Sequence, residues 1–351
     1  MEVLMVRRIS NVFLCSAALV LVHCQSYEDS FNRNTDSTGL YVANGSSNTI
    51  SQFAADPKSG VLNSLGTVEA GTTPVDIVVN AAGTYAYVVN SGSNDVYFYS
   101  IDKTTRKLTK LGSVATGTTP VSIALHPTAA LAFVSNAGSA DISRYSVSAT
   151  TGALISLGAA TGTNGGTTPG RVAAISGFLF SGITSANEAQ LFILNTGTGV
   201  LTYSSTATPA GPSQGAVLRG TTSNYSVYLP VSSGNQITRI LNSGWPTLDS
   251  TTATGTTPVD IAFNAGNTQA YVANDGAASI SVYSVSSGAL TLTNTVSSCT
   301  NPNRIFVNSA SFVYLVCKGD NTVRAYSAST STLSLIASYA TGSSPRAAAG
   351  Y

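Results

Sequence analysis

Charge is scarce in this chain: only 9% of its 351 residues are Asp, Glu, Lys or Arg, and the formal net charge is +1. With no excess of either sign, the protein lacks the field that would hold nucleic acid or an anionic membrane surface. Histidine is rarer still, with His23 and His126 the only two. Beyond the N-terminal segment that leaves His126 alone, in a His-Pro turn. No Ser–His–Asp arrangement, metal-ligand cluster or phosphate loop can be assembled, so no metal and no cofactor is expected. The longest apolar stretch near the start, Val12–Val22, is too short to cross a bilayer.

What remains is 43% hydrophobic and rich in Ser, Thr, Gly and Ala. That composition suits many short strands and turns. Arg7 and Arg8 ahead of the apolar run read as a secretory signal over residues 1–24. The segment ends Leu21-Val22-His23-Cys24, which resembles a bacterial lipobox with Cys24 as the acylated residue, although His23 replaces the usual small residue. Ordinary signal cleavage is the alternative. Residues 25–38 are polar and unpatterned and read as a flexible tether.

From residue 39 onward a phrase repeats. Gly-Thr-Thr-Pro stands at Gly71–Pro74, Gly117–Pro120, Gly166–Pro169 and Gly255–Pro258, with altered copies at Gly211–Gln214, Cys299–Pro302 and Gly342–Pro345. The steps between fourth residues are 46, 49, 45, 44, 44 and 43, the mark of one supersecondary unit repeated. Four strand-like runs, A to D, fill each period. A follows the Pro, as in Val75–Asn80. B reads Tyr41–Asn44, Tyr87–Asn90, Phe133–Asn136 and Tyr271–Asn274, C alternates as in Asp95–Asp102, and D follows as in Leu108–Thr116. Such units bury both faces only by packing radially. The expected fold is all-β: a seven-bladed β-propeller over residues 39–351, four antiparallel strands per blade. The chain enters in a B strand and ends in an orphan A strand at Ser344–Tyr351. That last strand completes the first blade.

Tyr-Val-x-Asn followed by a Gly/Ser/Asn turn resembles the YVTN family of β-propeller repeats. That family is similar to seven-bladed lactonases of the 6-phosphogluconolactonase type and to prokaryotic cell-surface propellers. The resemblance covers about residues 39–351 and implies the fold; the residues that carry it are turn and strand formers. Blade four departs most, at Phe178–Thr184 and Glu188, after a long connection at Thr161–Gly166.

Cys299 stands at the Gly of the phrase and Cys317 at the Asn of Tyr-Val-x-Asn, in the same repeat. They are 18 apart where Gly and Asn are 19 apart in regular copies. Because A and B form a hairpin, the sulfurs fall within bridging reach, and a disulfide fits an oxidising compartment. A reactive thiol pair or a metal site is the alternative.

Two residues beyond the phrase, strand A should line the channel mouth. Around the ring this position holds Asp76, Ser122, Arg171, Ala216, Asp260, Arg304 and Ala347, with Arg346 one place earlier. Such charges either pair across a wet channel and fix the ring, or grip a polar ligand, Arg on a carboxylate or phosphate and Asp on hydroxyls. In lactone hydrolysis Asp76 or Asp260 would be the base, with Arg171 and Arg304 on the oxyanion. The expected approach is the face carrying the D–A connections and B–C turns. Trp245 lies in a C–D turn at the rim, as a partner contact or rim packing, and Lys103–Lys110 reads as a solvated loop. The sequence therefore points to an exported, lipid-anchored propeller, a monomer that binds or scaffolds an envelope or extracellular protein. It would touch membrane only through its anchor. A lactonase-like hydrolase is the alternative.

Overall fold

In the computed structural model the described residues are 38–351, apart from 176, 187, 209–216, 222–223 and 242–247. Expectations for the signal, Cys24, the tether up to Ser37, Ala216 and Trp245 fall outside them. Seven antiparallel sheets follow one another, one per blade. Blade two shows the unit: A Pro74–Val79, B Tyr85–Asn90, C Asp95–Ile101 and D Leu108–Ala115. Blade one pairs Pro345–Gly350 with Thr38–Asn44, from Leu40↔Gly350 to Asn44↔Pro345. The last strand thus completes the first blade.

That closure reuses the bonds of the continuous blades. Gly45 N–H donates to Ser344 C=O at 2.8 Å and Ser46 N–H to Ser343 C=O at 3.1 Å; Ser91 and Gly92 make the same bonds to Thr73 and Thr72 within blade two. Blades pack through separate apolar interfaces, such as Tyr87, Val89 and Val96 of blade two against Ile123, Val134 and Tyr145 of blade three. Tyrosines tie these interfaces at their polar ends. The C-strand Tyr99, Tyr145 and Tyr283 donate to the preceding blade's outer strand at Glu69, Ala115 and Ala253. The B-strand Tyr41, Tyr85, Tyr228 and Tyr314 donate to the next blade's C–D turn at Arg106, Thr150, Gly288 and Gly60. Burial pushes the phenols of Tyr41, Tyr99, Tyr145, Tyr283 and Tyr314 above their ordinary value, and that of the B-strand Tyr271 up to about 12.

Two details differ from the expected pattern. Blade three's outer strand is split into Leu154–Ser156 and Thr161–Gly162, so part of the long connection before blade four is strand, followed by a 3-10 turn at Asn164–Gly166. The Lys103–Lys110 turn is no solvated loop throughout. Arg106 is buried beside Tyr41 and Tyr351, Lys103 lies 4.7 Å from the centre of the Tyr351 ring, and Lys110 lies over Tyr97.

The phrase has a mechanical role. Its third residue takes a positive φ at Thr73, Thr119, Thr257, Asn301 and Ser344. Its first must be small where Asn follows: a Cβ on Gly71, Gly117 or Gly255 would meet the Asn90, Asn136 or Asn274 side chain within 2.8 Å. In blade seven the disulfide Cys299–Cys317 replaces this Gly–Asn contact, with Cα atoms 5.8 Å apart.

Candidate functional site

The Pro of the phrase starts strand A, and a β-bulge follows at once. The register slips between Pro74 and Asp76, Pro120 and Ser122, Pro258 and Asp260, and Pro302 and Arg304. A bulge re-aims the next side chain, and in each case that residue is a member of the ring. Between blades one and two, the left-handed Asn48 accepts the N–H of Thr73 at 2.8 Å; Asn94, Asn235 and Asn321 do the same for Thr119, Thr257 and Ser344. These asparagines were not singled out in the sequence, yet they fix four of the inner strands relative to the previous blade. Their signal was an Asn just ahead of strand C, in Asn48-Thr49-Ile50, Asn94-Asp95-Val96, Asn235-Gln236-Ile237 and Asn321-Thr322-Val323.

The structure brings Asp76, Ser122, Arg171, Asp260 and Arg304 together around one central cavity of about 330 Å³. Arg304 Nη2 lies 2.7 Å from Asp76 Oδ1, and Arg171 pairs with Asp260. Both pairs join blades that are not neighbours. Asp76 and Asp260 are buried, and each also holds the next blade: Ile123 N–H donates to Asp76 Oδ2 at 3.1 Å and Ile305 N–H to Asp260 Oδ2 at 3.0 Å. Ser122 accepts from Val172 N–H at 3.5 Å in the same way. The layer is therefore a structural ring and a charged surface at once.

Its electrostatics single out one group. Burial draws the Arg171 guanidinium down, but the Asp260 and Asp76 carboxylates outweigh that and leave it raised. Arg304 is lowered, by burial first and then by the like charge of Arg171. Both stay cationic, since arginine keeps its proton in proteins. Arg171 has a side chain 26% exposed, against 10% for Arg304, 7% for Asp76 and 3% for Asp260. Arg171 is the charge a ligand would meet first.

Arg346 does not join them. It lies against Gly45 in the B–C turn of blade one, where a Cβ on that glycine would come within 2.5 Å of its Nε. Ala347 is buried between blades. The cavity also opens in a different direction from the one expected. Beyond the charged layer it is lined by Val78, Val79, Phe263, Val307 and Gly350, from the far ends of the inner strands. It extends toward the A–B turns, away from the face that carries the Gly-Thr-Thr-Pro phrases.

His126 is a turn residue. Its Nδ1 accepts from Thr128 N–H at 3.2 Å and Ala129 N–H at 2.7 Å. Asn80 and Asn264 hold the corresponding place in blades two and six, where they accept the N–H groups four and five residues further on. Cys299, Cys317 and Asp320 lie close enough to resemble a metal cluster, but the two sulfurs are bonded to each other. Glu188, half-buried, opens strand C of blade four and pairs in register with Ile183, away from the cavity.

Comparison with known proteins agrees with the ring. A family model described as "Lactonase, 7-bladed beta-propeller" matches residues 31–125 and 66–169, the span of the first three blades. No curated protein sequence matches the chain. Among solved structures, a Bacteroides fragilis 6-phosphogluconolactonase-like protein superposes with a TM-score of 0.79 at 17% identity, over 90% of this chain and 99% of the other. The Pseudomonas aeruginosa periplasmic gluconolactonase gives 0.78 at 15%, over 90% and 99%. A Lactobacillus plantarum protein gives 0.77 at 18%, over 90% and 99%. At such identities the likeness establishes the fold. The chain is a seven-bladed β-propeller, similar to the lactonase family by sequence in its first three blades and to 6-phosphogluconolactonase-like structures around the whole ring.

Proposed function

We propose that the central cavity binds a small polyhydroxylated acid or its lactone, and that lactone ring opening is the chemistry it serves. The observation that carries this reading is the partly exposed Arg171, paired with buried Asp260 in the lining of the central cavity. The names of the structural neighbours, a gluconolactonase among them, support the same substrate class. A bound lactone would draw Arg171 from Asp260 to its carbonyl oxygen. Asp260, freed of its cation, takes a proton from the attacking water while Arg171 and Arg304 stabilise the developing oxyanion. Collapse of the tetrahedral adduct breaks the ring C–O bond, and the departing alkoxide recovers the proton. The product hydroxy acid then ionises, releases its proton to water, and leaves a carboxylate opposite Arg171.

The test is proton release from glucono-1,5-lactone, measured above the spontaneous rate. Turnover is expected for the full chain and its loss in Arg171→Gln, a variant that melts lower because buried Asp260 loses its cation but is still folded at the assay temperature. No turnover by the folded wild-type protein removes the hydrolase reading.

A second reading, a binding or scaffolding module at the cell envelope, is favoured by the fully paired state of the charged layer. Both carboxylates already hold an arginine and a backbone N–H. Export, with Cys24 as a lipid anchor, belongs to either reading and is supported by the disulfide, which persists in oxidising compartments. Intact mass of the protein isolated from cells tests the anchor. A diacylglyceryl mass on Cys24 is expected, and a cleaved, unmodified N-terminus would contradict it.

A further inference from the structure

The repeat departs from itself twice at one place, and the two departures meet. The outer-strand residue paired with the first residue of strand C is Ala115, Ala253, Ser297 or Ala340 in blades two, five, six and seven; in blade one it is Glu69. Two residues into strand C, blades one, three and six carry Ser51, Ser143 and Ser281, each bonded to the B-strand asparagine of its own blade. Blade two carries Tyr97 instead, and Asn90 bonds Asp95. Glu69 and Tyr97 come from neighbouring blades, and both line a groove of about 510 Å³ at the junction.

We propose that this junction is a binding site for a neutral saccharide, separate from the channel. Ser47, Asn48, Thr67 and Thr72 line the groove with Glu69 and Tyr97, so hydroxyls and an amide surround one carboxylate and one aromatic ring. That set matches a sugar, whose paired hydroxyls donate to a carboxylate and whose apolar C–H face meets aromatic carbon. Among the described residues the Glu69 carboxylate and the Tyr97 hydroxyl have no hydrogen-bond partner, although Glu69 is held at its backbone by Tyr99. Charge narrows the class. Glu69 repels anionic sugars, and the Lys110 ammonium, 3.4 Å from the centre of the Tyr97 ring, offsets the pull of Glu69 on cationic ones. The channel differs, since its accessible charge is the Arg171 cation, which favours an anion.

The repeat supplies its own control substitutions. Glu69→Ala and Tyr97→Ser restore residues that other blades carry, so both variants should fold, the first melting as the wild type does and the second somewhat lower because Tyr97 packs on the interface of blades one and two. Calorimetric titration of the full chain with maltose, cellobiose and lactose is the test, with glucuronate and glucosamine as charged comparators. Saturable binding of at least one disaccharide is expected, weakened about tenfold or more in each variant and at least as much for the comparators. Lactone turnover should be the same in both variants as in the wild type. No saturable binding up to about 10 mM, binding untouched by both substitutions, or equal binding of a charged comparator would overturn the proposal.

Discussion

His126 shows how one residue can replace another when only an acceptor is needed. Asn80 and Asn264 accept turn N–H groups through Oδ1, and His126 does so through Nδ1. That role requires the neutral ring, and burial lowers the imidazole below its ordinary value. The unfolded chain therefore takes up a proton near pH 6.5 that the folded chain resists. His126 contributes stability that is present above that pH and lost as pH falls through and below it. Denaturant midpoints measured between pH 7.5 and 5 should fall for the wild type and fall less for His126→Asn. Thr119 makes the converse case. A β-branched residue at φ 50 before a proline is strained, and blade seven has Asn301 at the same position with φ 49. Thr119→Asn should stabilise by about 1 kcal/mol, read from the denaturant midpoint.

At the scale of the element, the hairpin of strands A and B is where sequence and structure correspond most closely. The Gly–Asn spacing that located Cys299 and Cys317 reflects a physical contact, because the Asn side chain fills the space a Cβ would need. Replacing either cysteine with Ala should cost about 3 kcal/mol. The double change Cys299→Gly with Cys317→Asn restores the contact of the other blades and should recover part of that loss in thermal melts without reductant. The ring positions were equally legible, since a bulge after each Pro sets them. Their partners were not. Arg171 meets Asp260 from two blades away, and Arg304 meets Asp76 across the join of the chain ends, so only the closed ring decides who pairs with whom. The exclusion of Arg346 was hidden for a similar reason: one residue of register sends its side chain to Gly45. The outer strands show a further regularity that period alone did not reveal. Six of the seven have a bulge against strand C, as at Phe98/Tyr99, Val282/Tyr283 and Ala325/Tyr326, and that of blade three is split instead. Such bulges break the exposed edge as a template for pairing with other chains.

At the scale of the molecule, closure depends on contacts rather than covalent continuity. Deleting residues 345–351 removes the inner strand of blade one together with the Tyr351 contacts to Tyr41 and Arg106. The truncated protein should melt lower and aggregate, as seen by light scattering during heating. The charged layer links the same closure to the cavity. Asp76→Ala leaves Arg304 buried without its carboxylate and Ile123 N–H without its acceptor, and should cost about 3–5 kcal/mol. A layer this committed to structure can still serve a ligand if one of its four charges remains accessible, and Arg171 is that charge. The most direct measurement is a crystal structure of the full chain grown with saturating gluconate, the ring-opened acid. The account predicts density in the central cavity with the carboxylate on Arg171 and the Arg171–Asp260 pair opened. An empty cavity, or gluconate bound only elsewhere, would contradict it.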